Sequence, residues 1–199
     1  DVAGSLAGLG VTVPVLAVAA LAIRLTSPGP VFFRQTRVGR FGRRFAMLKL
    51  RTMVVDAEKK KADLMHLNEM DGPVFKIQND PRITPVGRIL RKWSIDELPQ
   101  FWNVLCGDMS MVGPRPPTPD EVNQYRGSER RRLSMRPGLT GLWQVSGRNQ
   151  VSFEDWMKMD LEYIDSWSLS NDMRILARTV PEVLLARGAV IEPIDLRLD

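Results

Sequence analysis

The chain has 199 residues, of which 44% are hydrophobic and 26% are charged, so its composition favours one well-packed domain and excludes wholesale disorder. The formal net charge is +5, and the single cysteine, Cys106, and the single histidine, His66, exclude an intrachain disulfide and a His/Cys zinc site. No GxGxxG or GxxxxGK(S/T) pattern supports a Rossmann or P-loop nucleotide site, so an acid, base or nucleophile must come mainly from Asp, Glu, Lys, Ser or Tyr.

The chain begins with an apolar stretch, residues 2–23, which contains no charged side chain. Its length is close to the ~20 residues with which a helix crosses the ~30 Å hydrocarbon core of a bilayer. Pro14 lies near its middle and predicts a bend. A straight span, a bent helix that enters and leaves by the same face, and a buried core helix all fit this pattern, and insertion into a membrane is favoured.

A basic region follows directly. Residues 2–55 contain no Asp or Glu, whereas residues 24–51 are rich in arginine. An apolar segment followed by an uninterrupted basic region predicts an anionic membrane surface as a partner. The positive-inside rule places that region on the cytoplasmic side. We therefore expect a membrane-inserted segment at residues 1–25 and a cytosolic domain at residues 26–199.

Short strands and helices are predicted next. Apolar stretches at residues 31–33 and 45–50, on either side of a basic loop with glycines, predict a β-hairpin. The charged run at residues 56–70 predicts a solvated helix. Two more helices are predicted at residues 85–91 and 96–105, the second with one apolar stripe.

The C-terminal part is predicted to be helical, with one short strand. Helices are expected at residues 120–133, 152–167 and 171–185, and the strand at residues 142–145. The predicted fold class is therefore α+β, predominantly helical, with little sheet and several long loops.

The stretch SIDELPQ places two carboxylates, Asp96 and Glu97, side by side. One interpretation is a capping box, with Ser94 as the N-cap and Glu97 at the third helical position. The other is a catalytic pair, with Asp96 as nucleophile or base and Glu97 binding a divalent cation. The local spacing favours neither interpretation.

Four loops carry arginines, most of them beside glycine or proline: RTM, DPRITPVGR, VGPRPP and SGRN. Glycine lets backbone N–H groups approach a ligand, proline fixes the loop, and arginine offers a two-pronged donor for phosphate. Together, these loops predict a phosphate site around the carboxylate pair.

Three long stretches carry a resemblance to a known family: SPGPVFFRQTRVGRFGRRFAMLKLRTM, DPRITPVGRILRKWSIDELPQFWNVLCGDMSMVGPRPP and RPGLTGLWQVSGRN. In this order they resemble the bacterial sugar transferases, the monotopic polyprenyl-phosphate hexose-1-phosphate transferases that begin capsule, O-antigen and exopolysaccharide assembly. The similarity runs from residue 1 to about residue 188. In that family a phosphosugar moves from a UDP-sugar to undecaprenyl phosphate, and UMP leaves.

The resemblance implies roles for individual residues. Asp96 is expected to be the nucleophile, which forms a phosphosugar–aspartyl intermediate, and Glu97 is expected to hold Mg²⁺ against the diphosphate. The cations expected to bind phosphate oxygens are Lys49, Arg51, Arg91 and Arg115. Gln144 and Arg148 are expected to line the same pocket, and Asp160 is expected to contact the sugar or the metal.

The resemblance also implies a re-entrant membrane helix, bent near its middle, ahead of a compact catalytic domain whose active site faces the cytoplasm at the bacterial inner membrane. This chain has Val13-Pro14 where the family commonly has Ser-Pro, and it begins at Asp1 without the basic pair that usually precedes that aspartate. We expect the C-terminal part of a longer protein, since longer family members carry further transmembrane helices and another domain ahead of this region.

Two other functions fit part of the sequence. A basic membrane-surface binding module without catalysis explains the apolar segment and the arginines, but it leaves SIDELPQ and the four loops unexplained. The net charge and the five tryptophans permit nucleic-acid binding, yet no recognisable binding motif is present, so no nucleic-acid partner is expected. The identity of the hexose stays open, and glucose, galactose and N-acetylated sugars all fit. The oligomeric state, including a homo-oligomer, also stays open.

Overall fold

The computed structural model describes residues 1–69, 73–75, 77, 79–146 and 152–186, and it has the predicted α+β, mostly helical architecture. The helices are α1 (Val2–Thr26), α2 (Pro85–Lys92), α3 (Gln100–Leu105), α4 (Pro119–Gln124), α5 (Phe153–Asp165) and α6 (Leu169–Leu184). The strands are β1 (Phe32–Val38), β2 (Arg44–Leu50), β3 (Ser110–Val112) and β4 (Gly138–Thr140). Short 3-10 helices span Arg40–Gly42, Lys59–Leu67, Ile95–Glu97, Gly127–Ser134 and Leu142–Val145.

α1 is long and apolar enough to cross a membrane by length and composition. It leaves large apolar side chains exposed, including Val11, Val18 and Leu25. The helix continues through Pro14. Membrane insertion and the re-entrant bend stay predictions.

Both ends of α1 contact the rest of the chain. At its start, the Asp1 carboxylate accepts hydrogen bonds from Ser110 Oγ (2.9 Å) and Met111 N (2.8 Å). Near its end, Ile23 packs in an apolar cluster with Leu50 of β2. α1 therefore lies along the domain rather than projecting away from it.

β1 and β2 form the predicted antiparallel hairpin, which pairs Phe32 with Leu50. β1 is longer than predicted and extends to Val38. The edge of β2 that does not pair with β1 is covered by the Asn103 amide of α3. Asn103 Oδ1 accepts from Leu48 N and Nδ2 donates to Ala46 O, each at 2.9 Å. This pairing holds α3, and the turn before it, beside β2.

β3 and β4 form a parallel pair, in which Ser110 lies opposite Gly138 and Val112 opposite Thr140. A Cβ atom on Gly138 would lie 2.1 Å from Gly113 N. Glycine is needed here because the two backbones approach so closely.

Two predicted elements are corrected by the structure. The strand predicted at residues 142–145 is wrong, because Leu142–Val145 folds into a 3-10 helix just after the true strand, β4. The helix predicted at residues 96–105 is shorter, since α3 begins after Pro99, which has no N–H to donate. Ile95–Glu97 is a separate 3-10 helix.

Two charged segments are less regular than predicted. The helix predicted at residues 120–133 is two elements, α4 and the 3-10 helix at Gly127–Ser134, separated by extended backbone at Arg126. The helix predicted at residues 56–70 is a 3-10 helix over Lys59–Leu67, and its last predicted residue lies outside the described residues.

α5 and α6 confirm the helices predicted at residues 152–167 and 171–185. The Ser152 side chain caps α5, because its Oγ accepts from Asp155 N at 3.1 Å. Buried side chains of both helices join β3 in one apolar cluster, formed by Val112, Tyr163 and Ile175.

Candidate active site

A cavity of about 540 Å³ opens between the hairpin, the turn at Ile95–Glu97, the loop after β3 and the 3-10 helix at Leu142–Val145. It brings together most of the residues expected in the site: Lys49, Arg51, Arg91, Asp96, Glu97, Arg115 and Gln144. Asp160 does not line it. Arg148 lies outside the described residues.

The two carboxylates sit on a tight turn that begins with a strained residue. Ser94 has a φ of 53°, in the left-handed region that residues other than glycine adopt at a cost. Its side chain makes no capping hydrogen bond, so the capping-box interpretation is wrong. The turn is closed by a hydrogen bond from Glu97 N to Ser94 O (3.1 Å). Strain of this kind is typical of functional sites.

Asp96 is only 6% exposed, although it lines the cavity. Burial raises its pKa to about 6, the Lys49 ammonium opposes this rise, Glu97 adds to it and Arg91 opposes it. The carboxylate is therefore ionised at neutral pH. A buried carboxylate with a perturbed pKa in a cleft is the kind of group that serves as a nucleophile or base.

Glu97 faces a cation across the cavity wall. Lys49 Nζ donates a hydrogen bond of 2.7 Å to Glu97 Oε1. Lys49 is partly exposed in the cavity, whereas its neighbour Leu50 is 1% exposed and packs in an apolar cluster, because successive side chains of β2 alternate between the two faces. The strand and the turn thus place a positive charge next to both carboxylates.

Arg91 reaches the cavity from the last turn of α2. Its Nε donates to Thr52 Oγ1 at 2.9 Å. α2 can lie this close to Thr52 because of Gly87, where a Cβ atom would lie 2.0 Å from the Thr52 carbonyl oxygen. Gly87 therefore positions a cation of the site through backbone packing.

The hydrogen bonds of Arg51 mainly hold the backbone in place. Its Nε donates to Pro30 O (2.5 Å) and its Nη2 donates to Ser27 O (3.1 Å), which fixes the turn after α1. Burial lowers its pKa, and Arg24 lowers it further. Within the described part of the chain, its Nη1 is buried without a hydrogen-bond partner. Phosphate binding by Arg51 stays a prediction that only this nitrogen supports.

Arg37 is a cavity residue that the sequence analysis did not single out. It is 5% exposed, and it donates to Gln35 Oε1 and to Pro116 O (2.9 Å). Burial and the neighbouring Arg115 lower its pKa to about 9. Strand alternation could have identified it, since Phe33, Gln35 and Arg37 occupy every second position of β1 and all line the cavity, which Phe32 joins only at the start of the strand.

Arg115 enters the cavity from the loop after β3 and is held by three contacts. Its Nη1 lies 3.6 Å from Glu121 Oε1, and its guanidinium carbon lies 5.2 Å from the centre of the Trp156 ring. Its carbonyl oxygen accepts from Arg132 Nη2 at 3.1 Å. The guanidinium is therefore oriented before any ligand binds.

Asp160 lies behind Arg115. It is 1% exposed, and its Oδ2 lies 2.6 Å from Arg132 Nη2. Burial raises its pKa to about 6 against the opposing charge of Arg132. Because Arg132 also donates to the Arg115 carbonyl, Asp160 supports the cavity wall from within. The expected direct contact of Asp160 with a sugar or a metal finds no support in this position.

The donor set fits a magnesium ion that binds together with a phosphate ligand. No group of three or more His, Cys, Asp or Glu side chains that could hold a metal ion occurs among the described residues. Mg²⁺ is usually bound by one or two carboxylates together with phosphate oxygens and waters. The adjacent carboxylates of Asp96 and Glu97 match this requirement.

Comparison with known proteins gives a consistent result. A family model described as bacterial sugar transferase matches residues 1–186. The galactosyl transferase CpsE of Streptococcus agalactiae serotype III is 54% identical over 162 residues, which cover 81% of this chain and 36% of that protein. The UDP-glucose:undecaprenyl-phosphate glucose-1-phosphate transferase of Caulobacter vibrioides is 48% identical over 186 residues, covering 88% and 65%.

A third relative is the undecaprenyl-phosphate galactose phosphotransferase of Salmonella typhimurium, 44% identical over 169 residues, which cover 81% of this chain and 35% of that protein. The chain thus spans little more than a third of the length of the streptococcal and Salmonella relatives.

Proposed function

The chain belongs to the bacterial sugar transferase family, and on this basis we propose that it transfers a hexose-1-phosphate from a UDP-sugar to undecaprenyl phosphate and releases UMP. This reaction would be the first membrane step of exopolysaccharide, capsule or O-antigen synthesis. The observation that carries the proposal is the buried Asp96 in a cavity with Lys49, Arg91 and Arg115. A binding module without catalysis does not need a buried carboxylate beside its cations.

In the first step, an Asp96 carboxylate oxygen bonds to the sugar-linked phosphorus. The bond between this phosphorus and the bridging oxygen of the diphosphate breaks, and UMP leaves with that oxygen and its electron pair. The enzyme then carries the phosphosugar as an aspartyl phosphate ester. An ionised Asp96 is required, and its pKa of about 6 leaves it ionised at neutral pH.

In the second step, a phosphate oxygen of the lipid attacks the same phosphorus. The bond from phosphorus to the Asp96 oxygen breaks, which regenerates the carboxylate and leaves a lipid-linked diphosphosugar. Both steps displace one oxygen by another at one phosphorus, so the same cations can serve both. Lys49, Arg91 and Arg115 supply fixed positive charge around the transferred group.

Glu97 would hold Mg²⁺, with Asp96 beside it. The ion would offset the negative charge of the diphosphate and of the departing UMP. Glu97 is already oriented by Lys49.

We also propose that α1 inserts as a re-entrant helix into the bacterial inner membrane and that the cavity faces the cytoplasm. Two observations support this. Both ends of α1 contact the domain, at Asp1 and at Ile23, whereas a straight span would carry one end to the far side of the bilayer. The basic region after α1 fits an anionic cytoplasmic surface.

The test follows UMP release from a panel of UDP-sugars, with undecaprenyl phosphate and Mg²⁺ in detergent. We expect release with one or few sugars, and none from the Asp96→Asn variant. A second assay omits the lipid and follows exchange of labelled UMP into the UDP-sugar, which reports the first step alone. Lipid-dependent release without any exchange would contradict the aspartyl intermediate. A folded wild-type chain that releases no UMP would leave the membrane-surface binding module as the better interpretation.

A further inference from the structure

The lining of the cavity includes apolar side chains that the proposed mechanism does not use. We call five of these residues the apolar rim: Pro30, Phe32, Phe33, Val54 and Val55. None of these side chains carries a hydrogen-bonding group. The rim belongs to the turn after α1, the start of β1 and the segment that follows β2.

The rim is open to its surroundings. Phe32 is 51% exposed and Val55 is 65% exposed. Contiguous exposed apolar surface beside a polar cleft is typical of a binding surface. Leu21 and Leu25 on α1, which precede this turn in the chain, also have exposed apolar side chains.

The turn that carries the rim is fixed in place. Gly29 has a φ of +110°, and a Cβ atom there would lie 2.7 Å from Val55 Cγ2. Arg51 holds the same turn by its hydrogen bonds to Ser27 O and Pro30 O. The contact between Gly29 and Val55 thus joins the end of α1 directly to the cavity mouth.

We propose that the apolar rim binds the first isoprene units of the acceptor lipid while the lipid phosphate lies at Asp96. This inference rests on the proposed function. A polyprenyl phosphate has one charged end and a branched apolar chain, which matches a cavity lined both by cations and by Phe, Val and Pro side chains. The hydroxyl groups of a sugar would lose their hydrogen bonds to water against this rim, and burying them unpaired is costly.

The two half-reactions allow a direct test. The variants Val55→Ser and Phe32→Ser should leave UMP exchange in the absence of lipid within about twofold of wild type. They should raise the KM for undecaprenyl phosphate roughly tenfold, the factor expected when one valine-sized side chain is no longer buried on binding. Val180→Ser on α6 is the matched control, since Val180 is 57% exposed and does not line the cavity.

A short acceptor separates contact with the lipid chain from contact with the membrane. Geranyl phosphate has two isoprene units, so Val55→Ser should raise its KM by a similar factor. An effect confined to undecaprenyl phosphate would overturn the inference and make the rim a membrane contact. A loss of UMP exchange as large as the loss of lipid transfer would overturn the inference and indicate that the rim binds the nucleotide or the sugar. Unchanged kinetics in both assays would overturn it as well. Absence of exchange in wild type would instead contradict the proposed function itself.

Discussion

Lys49 Nζ lies 2.7 Å from Glu97 Oε1, so a strand residue and a turn residue 48 positions apart form one ion pair inside the cavity. Both side chains are partly exposed, at 24% and 31%, and such pairs contribute at most about 1 kcal/mol to stability. The importance of the pair lies in its position. It puts a positive charge beside Asp96 and ties the strained turn to β2.

The first prediction concerns Lys49. Lys49→Met should lower kcat/KM for UMP release by roughly 100-fold or more, because it removes a fixed charge from the transferred phosphoryl group. Lys49→Arg keeps the charge and should recover part of the loss. Urea unfolding in detergent should show both variants within about 1 kcal/mol of wild type. A loss of stability as large as the loss of activity would mean that Lys49 is mainly structural.

The second prediction is that the proposed nucleophile destabilises the fold. Since burial raises the pKa of Asp96 from 3.8 to about 6, its ionised form is disfavoured in the native state. Asp96→Asn should therefore unfold at higher urea concentration than wild type at pH 8 in EDTA, by about 1–3 kcal/mol. Asp63→Asn, on the exposed 3-10 helix at Lys59–Leu67, is the control and should change little. Equal stability of Asp96→Asn and wild type would argue against a strongly perturbed carboxylate.

The fold was predictable where local signals determine it. An apolar run predicted α1, and the helix predicted at residues 152–167 begins as α5 just after its N-cap, Ser152. The strand near β4 was predicted at the wrong residues, because its true position depends on a segment distant in sequence. Gly138 of β4 lies close to Gly113, which follows β3. No pattern within residues 138–145 identifies that partner.

The residues of the site were likewise predictable where a sequence motif contains them. The motifs that contain Lys49, Asp96 and Arg115 were recognised, and these residues do line one cavity. The sequence identified Arg37 only as part of the basic region. The direction of its side chain depends on which face of β1 the rest of the protein covers. Asp160 was expected at the cavity surface, since its sequence neighbours do not show the buried pair that it forms with Arg132.

The third prediction concerns that buried pair. Arg132→Met leaves the carboxylate of Asp160 buried without its counter-ion and should cost about 3–5 kcal/mol at pH 8. The pH dependence follows from the direction of the pKa shift. A carboxyl group whose pKa is raised in the fold binds its proton more tightly there, so stability falls as pH rises from the unfolded to the folded pKa.

In the wild-type protein, the part of this loss of stability that Asp160 causes should be complete near pH 6, because burial raises the pKa of Asp160 to about 6. In Arg132→Met the largest opposing positive charge is gone and only that of Arg115 remains, so the fall should continue to higher pH, and the loss should be smaller at pH 5 than at pH 8. The neighbouring Arg131→Met is the control, because Arg131 pairs with Asp165 at the surface and should change stability by less than about 1 kcal/mol. A loss that is the same at both pH values would show that Asp160 is not the group involved.

The last prediction compares two glycines on one helix. A Cβ atom on Gly8 would lie 2.5 Å from the Phe101 ring of α3, whereas a Cβ atom on Gly10 meets no atom within 4 Å. Gly8→Ala should therefore lower the unfolding midpoint in detergent by the equivalent of about 1–3 kcal/mol. Gly10→Ala should be neutral or stabilising, since alanine favours a helix over glycine by about 1 kcal/mol. α3 follows the turn that carries Asp96, so Gly8→Ala should also slow UMP release roughly tenfold, because small displacements of catalytic groups are costly. If both variants unfold alike and keep full activity, α1 does not rest on α3 in the functional protein.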